Sequence, residues 1–244
     1  MAISANRKEL SKKLFDVVSS FAVLAIILLG LVLLLRIFEL GYNLSIHSSK
    51  VKFATLYGSV ILTDIDFWCR FCFLQLLVYV PLYLVSKQLG KAVFIVVAFV
   101  YLLLQLALSQ YFAQALVPLG ADIFGYTYAD IKQTIGASAQ LSLTSIVVAL
   151  VLIAAYFFAF YFIPKKISLR KNVAFSILVS AFFFVVGSSF VTIPQSAQGS
   201  EFLNNLALNK TDFFISASVK HFFPDDSEND IYADAYIGDY DDNV

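Results

Sequence analysis

Charged side chains are scarce in this chain. Of its 244 residues, 17 are Lys or Arg and 17 are Asp or Glu, 14% in all. The ones best placed for chemistry, Arg36, Glu39, Asp64, Asp66, Arg70, Asp122 and Asp130, fall close to the ends of long apolar runs. Arginines among that many carboxylates suit two roles. They pair with one another at the level of the lipid headgroups, or Arg36 and Arg70 face a phosphate, to which a guanidinium donates two parallel hydrogen bonds. The candidate headgroup residues are therefore Arg36, Arg70, Asp64, Asp66 and Asp122, with Trp68 beside them as an interfacial aromatic. Both arginines sit about one turn inside an expected helix end, from which a long side chain snorkels outward.

Other chemistry is poorly supplied. The sequence has no Gly-rich phosphate loop, no GxSxG nucleophile turn and no HExxH, so no catalytic residue is assigned. Cys69 and Cys72 lie on one helix face as small packing residues, and His47 and His221 are far from them in sequence. No metal site and no cofactor is expected in this chain. Asp239–Asn243 lacks the loop glycine and closing Glu of an EF-hand. Asn43 and Asn209 open Asn-X-Ser/Thr triplets of a kind common by chance. Away from the ends of the apolar runs the polar residues are neutral, among them Gln75, Gln105, Ser109, Gln110, Ser176, Ser180, Ser188 and Ser189. A proton-coupled carrier normally holds an ionisable group at mid-span, so this pattern argues against a transporter.

The elements that must position these residues follow from composition. Sixty per cent of the chain is apolar and 16% aromatic, with a mean hydropathy of +0.81. An ordinary soluble domain is about 45–50% apolar and about 25% charged. The expectation is an all-α integral membrane protein. Five runs reach the ~20 residues needed to cross a bilayer: Phe15–Phe38, Phe67–Val85, Val93–Tyr111, Leu141–Ile163 and Val173–Ile193. The first is too long for a signal-peptide core and is read as a retained helix.

Basic residues fix the expected orientation. Arg7, Lys8, Lys12 and Lys13, then Lys87 and Lys91, then Lys165, Lys166, Arg170 and Lys171 all fall on one side of a five-span chain. That side is cytoplasmic by the positive-inside rule, with the N-terminus in and the C-terminus out. The layout is a basic arm over 1–14, a five-helix membrane domain over 15–193, an outer interfacial helix segment over 194–224 and an acidic tail over 225–244. The tail holds eight of the 17 acids. Glu39–Asp66 reads as a long outer loop with an interfacial or re-entrant stretch over Phe53–Thr63. In a second outer loop, Pro118 and Gly120 break the preceding helix and Asp122 caps a short interfacial helix that stops near Gly136. No basic patch offers a nucleic-acid partner a footing.

The layout resembles the membrane domain of the lipoteichoic acid synthases, the lipid A phosphoethanolamine transferases and their sulfatase-like relatives in the alkaline phosphatase superfamily. Two stretches carry the likeness. One is Pro118-Leu-Gly-Ala-Asp-Ile-Phe-Gly-Tyr-Thr-Tyr-Ala-Asp-Ile131. The other is Asn204-Asn-Leu-Ala-Leu-Asn-Lys-Thr-Asp-Phe-Phe214, which leads into the acidic, tyrosine-bearing tail. The resemblance implies residence in a bacterial cytoplasmic (inner) membrane and membrane lipids as partners. In that family a metal-dependent extracytoplasmic domain with a Thr or Ser nucleophile follows such a tail, and it would begin beyond Val244. The expected role is thus to anchor a phospho-group transferase domain and present a lipid headgroup to it. A non-enzymatic scaffold or lipid sensor, and a channel or transporter subunit, are the alternatives.

Overall fold

A computed structural model describes residues 2–47, 53–127, 143–167, 169–188 and 200–224. Among them the chain is helical: α1 (Ala2–Ile46), α2 (Phe53–Val85), α3 (Lys87–Ala115), a 3₁₀ turn (Ala121–Gly125), α4 (Leu143–Lys166), α5 (Lys171–Ser188), α6 (Glu201–Ala207) and α7 (Lys210–Phe222). Four helices are long and apolar enough to cross a membrane, over Lys12–Ile46, Leu56–Val85, Lys87–Ala115 and Ile146–Lys166. The apolar part of α5, Asn172–Gly187, is shorter. The expected fifth span runs to Ile193, and residues 189–199 lie outside the described residues.

The central helix is α1, which packs against α2, α3, α4 and α5. Val17, Phe21, Leu24, Leu28, Leu31 and Leu35 are buried at alternating steps of four and three, and Ala22, Val23, Ala25, Ile27 and Val32 between them are buried too. A helix apolar on every side belongs at the middle of a bundle rather than at its edge. The outer helices keep apolar surface on view: Leu150, Phe157, Phe158 and Tyr161 of α4 and Phe175 and Phe183 of α5 are each more than half exposed.

Two helices are much longer than hydropathy indicates. At 1.5 Å per residue the 45-residue α1 is about 67 Å long, against about 30 Å for a hydrocarbon core. It continues past Phe38 to Ile46, and α2 already starts at Phe53. The outer loop expected over Glu39–Asp66 is therefore largely helix. The stretch Phe53–Thr63 is the first part of α2, not a re-entrant element.

The polypeptide's turns sort to two ends. At one, Ser86 separates α2 from α3, the Tyr79 hydroxyl donates to Ser20 (3.0 Å), and the Ser19 hydroxyl donates to the Leu169 carbonyl (3.0 Å). Gly90 makes this turn tight: a Cβ there would stand 2.9 Å from the Tyr83 backbone. Gly90→Ala is expected to cost about 1–3 kcal/mol, since backbone atoms rather than a flexible side chain must give way. A lowered melting temperature in detergent checks this; an unchanged one argues against the close approach.

At the other end α3 stops at Leu116, whose φ of 59° is left-handed and whose N–H bonds the Phe112 carbonyl (2.8 Å). Pro118 and Gly120 follow, as expected for a helix break. Asp122 does not cap a helix. Its Oδ1 accepts from the Gly120 N–H (3.1 Å) in a single 3₁₀ turn, and residues 128–142 lie outside the described residues. The segment expected as one interfacial helix is two. Ser200 caps α6 by accepting from the Leu203 N–H (3.3 Å), and Asn209 caps α7 by accepting from the Asp212 N–H (2.9 Å). Leu208 between them is extended.

Candidate functional site

Seven residues of isolated helix are not stable in water, so α6 must be held by something else. Its apolar face gives part of the answer. Leu203, Leu206 and Ala207 pack on Leu40 of α1, Leu56 and Val60 of α2, and Phe112 of α3. The rest comes from charge. The last carbonyls of a helix lack intrahelical donors and carry partial negative charge, which suits a cation.

Arg36 meets that need from α1. Its Nη2 donates to the carbonyls of Leu206 (2.9 Å), Ala207 (3.1 Å) and Leu208 (2.6 Å). Its Nη1 donates to Glu39 Oε2 (2.6 Å), and its Nε lies 3.2 Å from Asp64 Oδ2. The residue is 2% exposed. It does not snorkel outward; its hydrogen-bonding capacity is directed into the protein.

Lys210, at the start of α7, approaches from the other side. Its Nζ donates to the carbonyls of Asn205 (2.8 Å), Leu206 (3.2 Å) and Leu208 (2.9 Å), and sits 3.3 Å from Glu39 Oε1. The ammonium also lies 4.2 Å from the centre of the Phe112 ring. Burial lowers the Lys210 ammonium from the usual lysine range, and the Glu39 carboxylate beside it opposes that shift.

Neutral side chains complete the arrangement. Asn209 donates to Asp64 Oδ1 (2.8 Å), Ser109 donates to Glu39 Oε2 (3.1 Å), and Thr63 donates to the Ala207 carbonyl (2.9 Å). Gln105 Oε1 accepts from both the N–H and the hydroxyl of Thr211. Two cations thus face two carboxylates in a site that is formally neutral. The α6–α7 junction is locked to α1, α2 and α3 at once.

A second link is more exposed. Arg70 of α2 donates to both carboxylate oxygens of Asp212 (3.1 and 2.7 Å) and to Asp66 (2.7 Å), with its side chain 42% exposed.

The expected headgroup residues therefore divide. Arg36 and Asp64 come together with Glu39 in the buried lock, while Arg70 and Asp66 join Asp212 at the surface. Trp68 is not an interfacial anchor. It is 6% exposed in the bundle core, and its indole N–H donates to the Ala25 carbonyl (2.9 Å). Asp122 stands apart in the 3₁₀ turn. Lys210, Asn209, Gln105, Thr211 and Ser109 escape sequence reasoning as members of the lock. Asn43 and Asn209 are 1% and 3% exposed, so neither triplet offers an open glycosylation site in the folded protein. Cys69 and Cys72 are buried free thiols, in keeping with a packing role.

Beside the lock, a groove of about 410 Å³ opens between α1, α3 and α4, lined in part by Glu39, Asn43, Ser109 and Val148. Among the described residues, no three His, Cys, Asp or Glu side chains are grouped to hold a metal ion. Comparison with known protein families, with curated proteins and with solved structures finds no match to this chain.

Proposed function

We propose that the chain is the membrane part of a sulfatase-like lipid phospho-group transferase, which anchors an extracytoplasmic catalytic domain and presents a lipid headgroup to it. The observation that carries this reading is the lock. A bundle that only needed to span a bilayer has no use for two buried cations holding a short helix pair against three spanning helices. A platform that fixes the path of the chain leading on from residue 224 does. In this reading α5 and the residues up to Ile193 form a fifth span. The basic end of the bundle, with Lys87, Lys91, Lys165 and Lys166, faces the cytoplasm of a bacterial inner membrane. Helix α7 lies in the outer headgroup layer, where its exposed Ile215, Val219 and Phe222 meet lipid. Arg70 is the arginine near enough to the surface to meet a phosphate, in exchange for Asp66 or Asp212.

Orientation is tested by thiol labelling, because the two native cysteines are buried. A membrane-impermeant maleimide is expected to label Ser216→Cys in intact cells and Lys91→Cys only after permeabilisation. The reverse pattern overturns the topology. Function is tested by mass spectrometry of extracytoplasmic lipids in the parent bacterium with the gene deleted. The expected result is loss of a headgroup-modified species, restored by the wild-type gene and not by a Lys210→Met variant. An unchanged lipid profile removes the transferase reading.

One observation favours a scaffold instead. Phe222 and Phe223 are 60% and 78% exposed, and Phe222 packs edge-on against Phe124, an aromatic surface suited to a protein partner as well as to lipid. Recovery of a single stoichiometric protein by crosslinking through Phe223 in native membranes supports that reading.

A further inference from the structure

The two ends of the bundle treat their cations differently. At the lock end Arg36, Arg70 and Lys210 each lie against a carboxylate. Helices α3, α4 and α5 contain no Asp or Glu. At the other end Lys87, Lys91, Lys165 and Lys166 are exposed, and they make no ion pair among the described residues. The Ser86 side chain does not cap α3 there either, so the positive end of that helix adds to the excess.

Two of these lysines border one crevice. Lys87, Lys91, Ile95 and Phe99 follow one another at steps of four and form a ridge along α3. Phe157, Tyr161 and Lys165 form a ridge of α4 in the same way. The ridges meet at the Phe99 and Phe157 rings, 5.8 Å between centres. Further toward the basic end, Phe160 packs on Phe94 (6.3 Å) and the Tyr156 hydroxyl donates to the Ile95 carbonyl. The two helices are therefore antiparallel. Continued by one turn, this register brings Lys91 level with residues 163–165. Both ridges end in a lysine at the same depth.

The Lys165 ammonium does not reach away from the hydrocarbon, as a lysine at the end of a spanning helix usually does. Its Nζ folds back over the Tyr161 ring, 3.2 Å from the centre. Tyr161 and Phe157 are each more than half exposed, so positive charge stands directly against an open aromatic wall. A phosphate joined to a hydrocarbon chain matches both parts. A free phosphate would leave the wall bare, and an acidic protein segment approaching from the water would do the same.

We infer that an anionic phospholipid of the cytoplasmic leaflet binds in this crevice, its phosphate between Lys91 and Lys165 and an acyl chain along Tyr161 and Phe157. This lipid is distinct from the one presented at the outer face, and its leaflet rests on the orientation proposed above.

The test uses the full chain in phosphatidylcholine nanodiscs with two photoreactive probes, a phosphatidic acid and a phosphatidylcholine that carry the same diazirine acyl chain. The phosphatidic acid probe is expected to crosslink around Phe157 and Tyr161 about tenfold more than the phosphatidylcholine probe. Unlabelled phosphatidylserine should compete and inorganic phosphate should not. Lys91→Gln with Lys165→Gln should reduce the labelling to that of the phosphatidylcholine probe while the melting temperature holds, and the corresponding pair of arginine substitutions should retain it. Lys12→Gln with Arg170→Gln removes the same charge from the same end but outside the crevice, and most of the labelling should survive. Equal labelling by both probes, displacement by inorganic phosphate, or equal loss in the two glutamine pairs overturns the inference. Crevice labelling together with a reversed maleimide pattern would remove the proposed orientation alone. The expected maleimide pattern without crevice labelling would remove only this site.

Discussion

Arg36→Met is expected to be the most damaging single substitution in the protein. Methionine fills much of the same volume but leaves the Glu39 and Asp64 carboxylates without the guanidinium between them, and among the described residues the Ala207 carbonyl keeps Thr63 as its side-chain donor. Removing one partner from a buried ion pair typically costs about 3–5 kcal/mol, because the remaining charge is uncompensated. Here two carboxylates are left with one cation between them. The diagnostic measurement is a double variant in thermal denaturation. Asp64→Asn keeps an oxygen to accept from Asn209 and removes one negative charge, so Arg36→Met with Asp64→Asn should be more stable than Arg36→Met alone. A coupling of about 1–3 kcal/mol is expected for groups in direct contact. Strict additivity would show that the four charges do not balance one another as a unit.

The second large effect is expected at Lys210, and its character differs. Lys210→Met removes the donor shared by the Asn205, Leu206 and Leu208 carbonyls together with the cation beside Glu39. Arg36 still holds Asp64. The loss should therefore fall on the docking of α6 and α7, not on the spanning helices. With about 3 kcal/mol or more removed from that contact, hydrogen exchange over residues 201–222 should quicken by two orders of magnitude or more. Exchange in α1 and α3 should change little, as expected for a local opening. If protection over 201–222 is unaffected, the apolar contacts of Leu203 and Leu206 hold the pair and the ammonium is incidental.

The sequence made part of this legible. Apolar composition announces helices in a membrane, and the gathering of Arg36, Glu39, Asp64, Asp66 and Arg70 near the ends of apolar runs marks the end of the bundle where the lock lies. Two features were hidden, for physical reasons. Hydropathy records where apolar residues stop, not where a helix stops. Within residues 39–46 and 53–66, Glu39, Thr63 and Asp64 find partners on other helices, and nothing local encodes that. Lys210 stands in an otherwise ordinary amphipathic segment, and the partners that bind it to the bundle, Glu39 and Phe112, lie far back in the chain. Trp68 misled for a related reason: beside an apolar run a tryptophan suits either a headgroup layer or a core, and only the Ala25 carbonyl across the bundle decides.

The Arg36 contacts to Leu206, Ala207 and Leu208 span 170 to 172 residues of sequence. At roughly 5–20 residues per second, a ribosome finishes α1 on the order of ten to thirty seconds before it makes α6. Throughout that interval Arg36 lacks the α6 carbonyls and Glu39 lacks Lys210, although Asp64 and Ser109 are made earlier. The lock at this end of α1 therefore stays incomplete until α6 and α7 are made. Biogenesis of this protein therefore has a late closing step, in which the last helices to emerge complete the first. Quality-control proteases that recognise exposed intramembrane charge would read the absence of that step as an unfinished molecule.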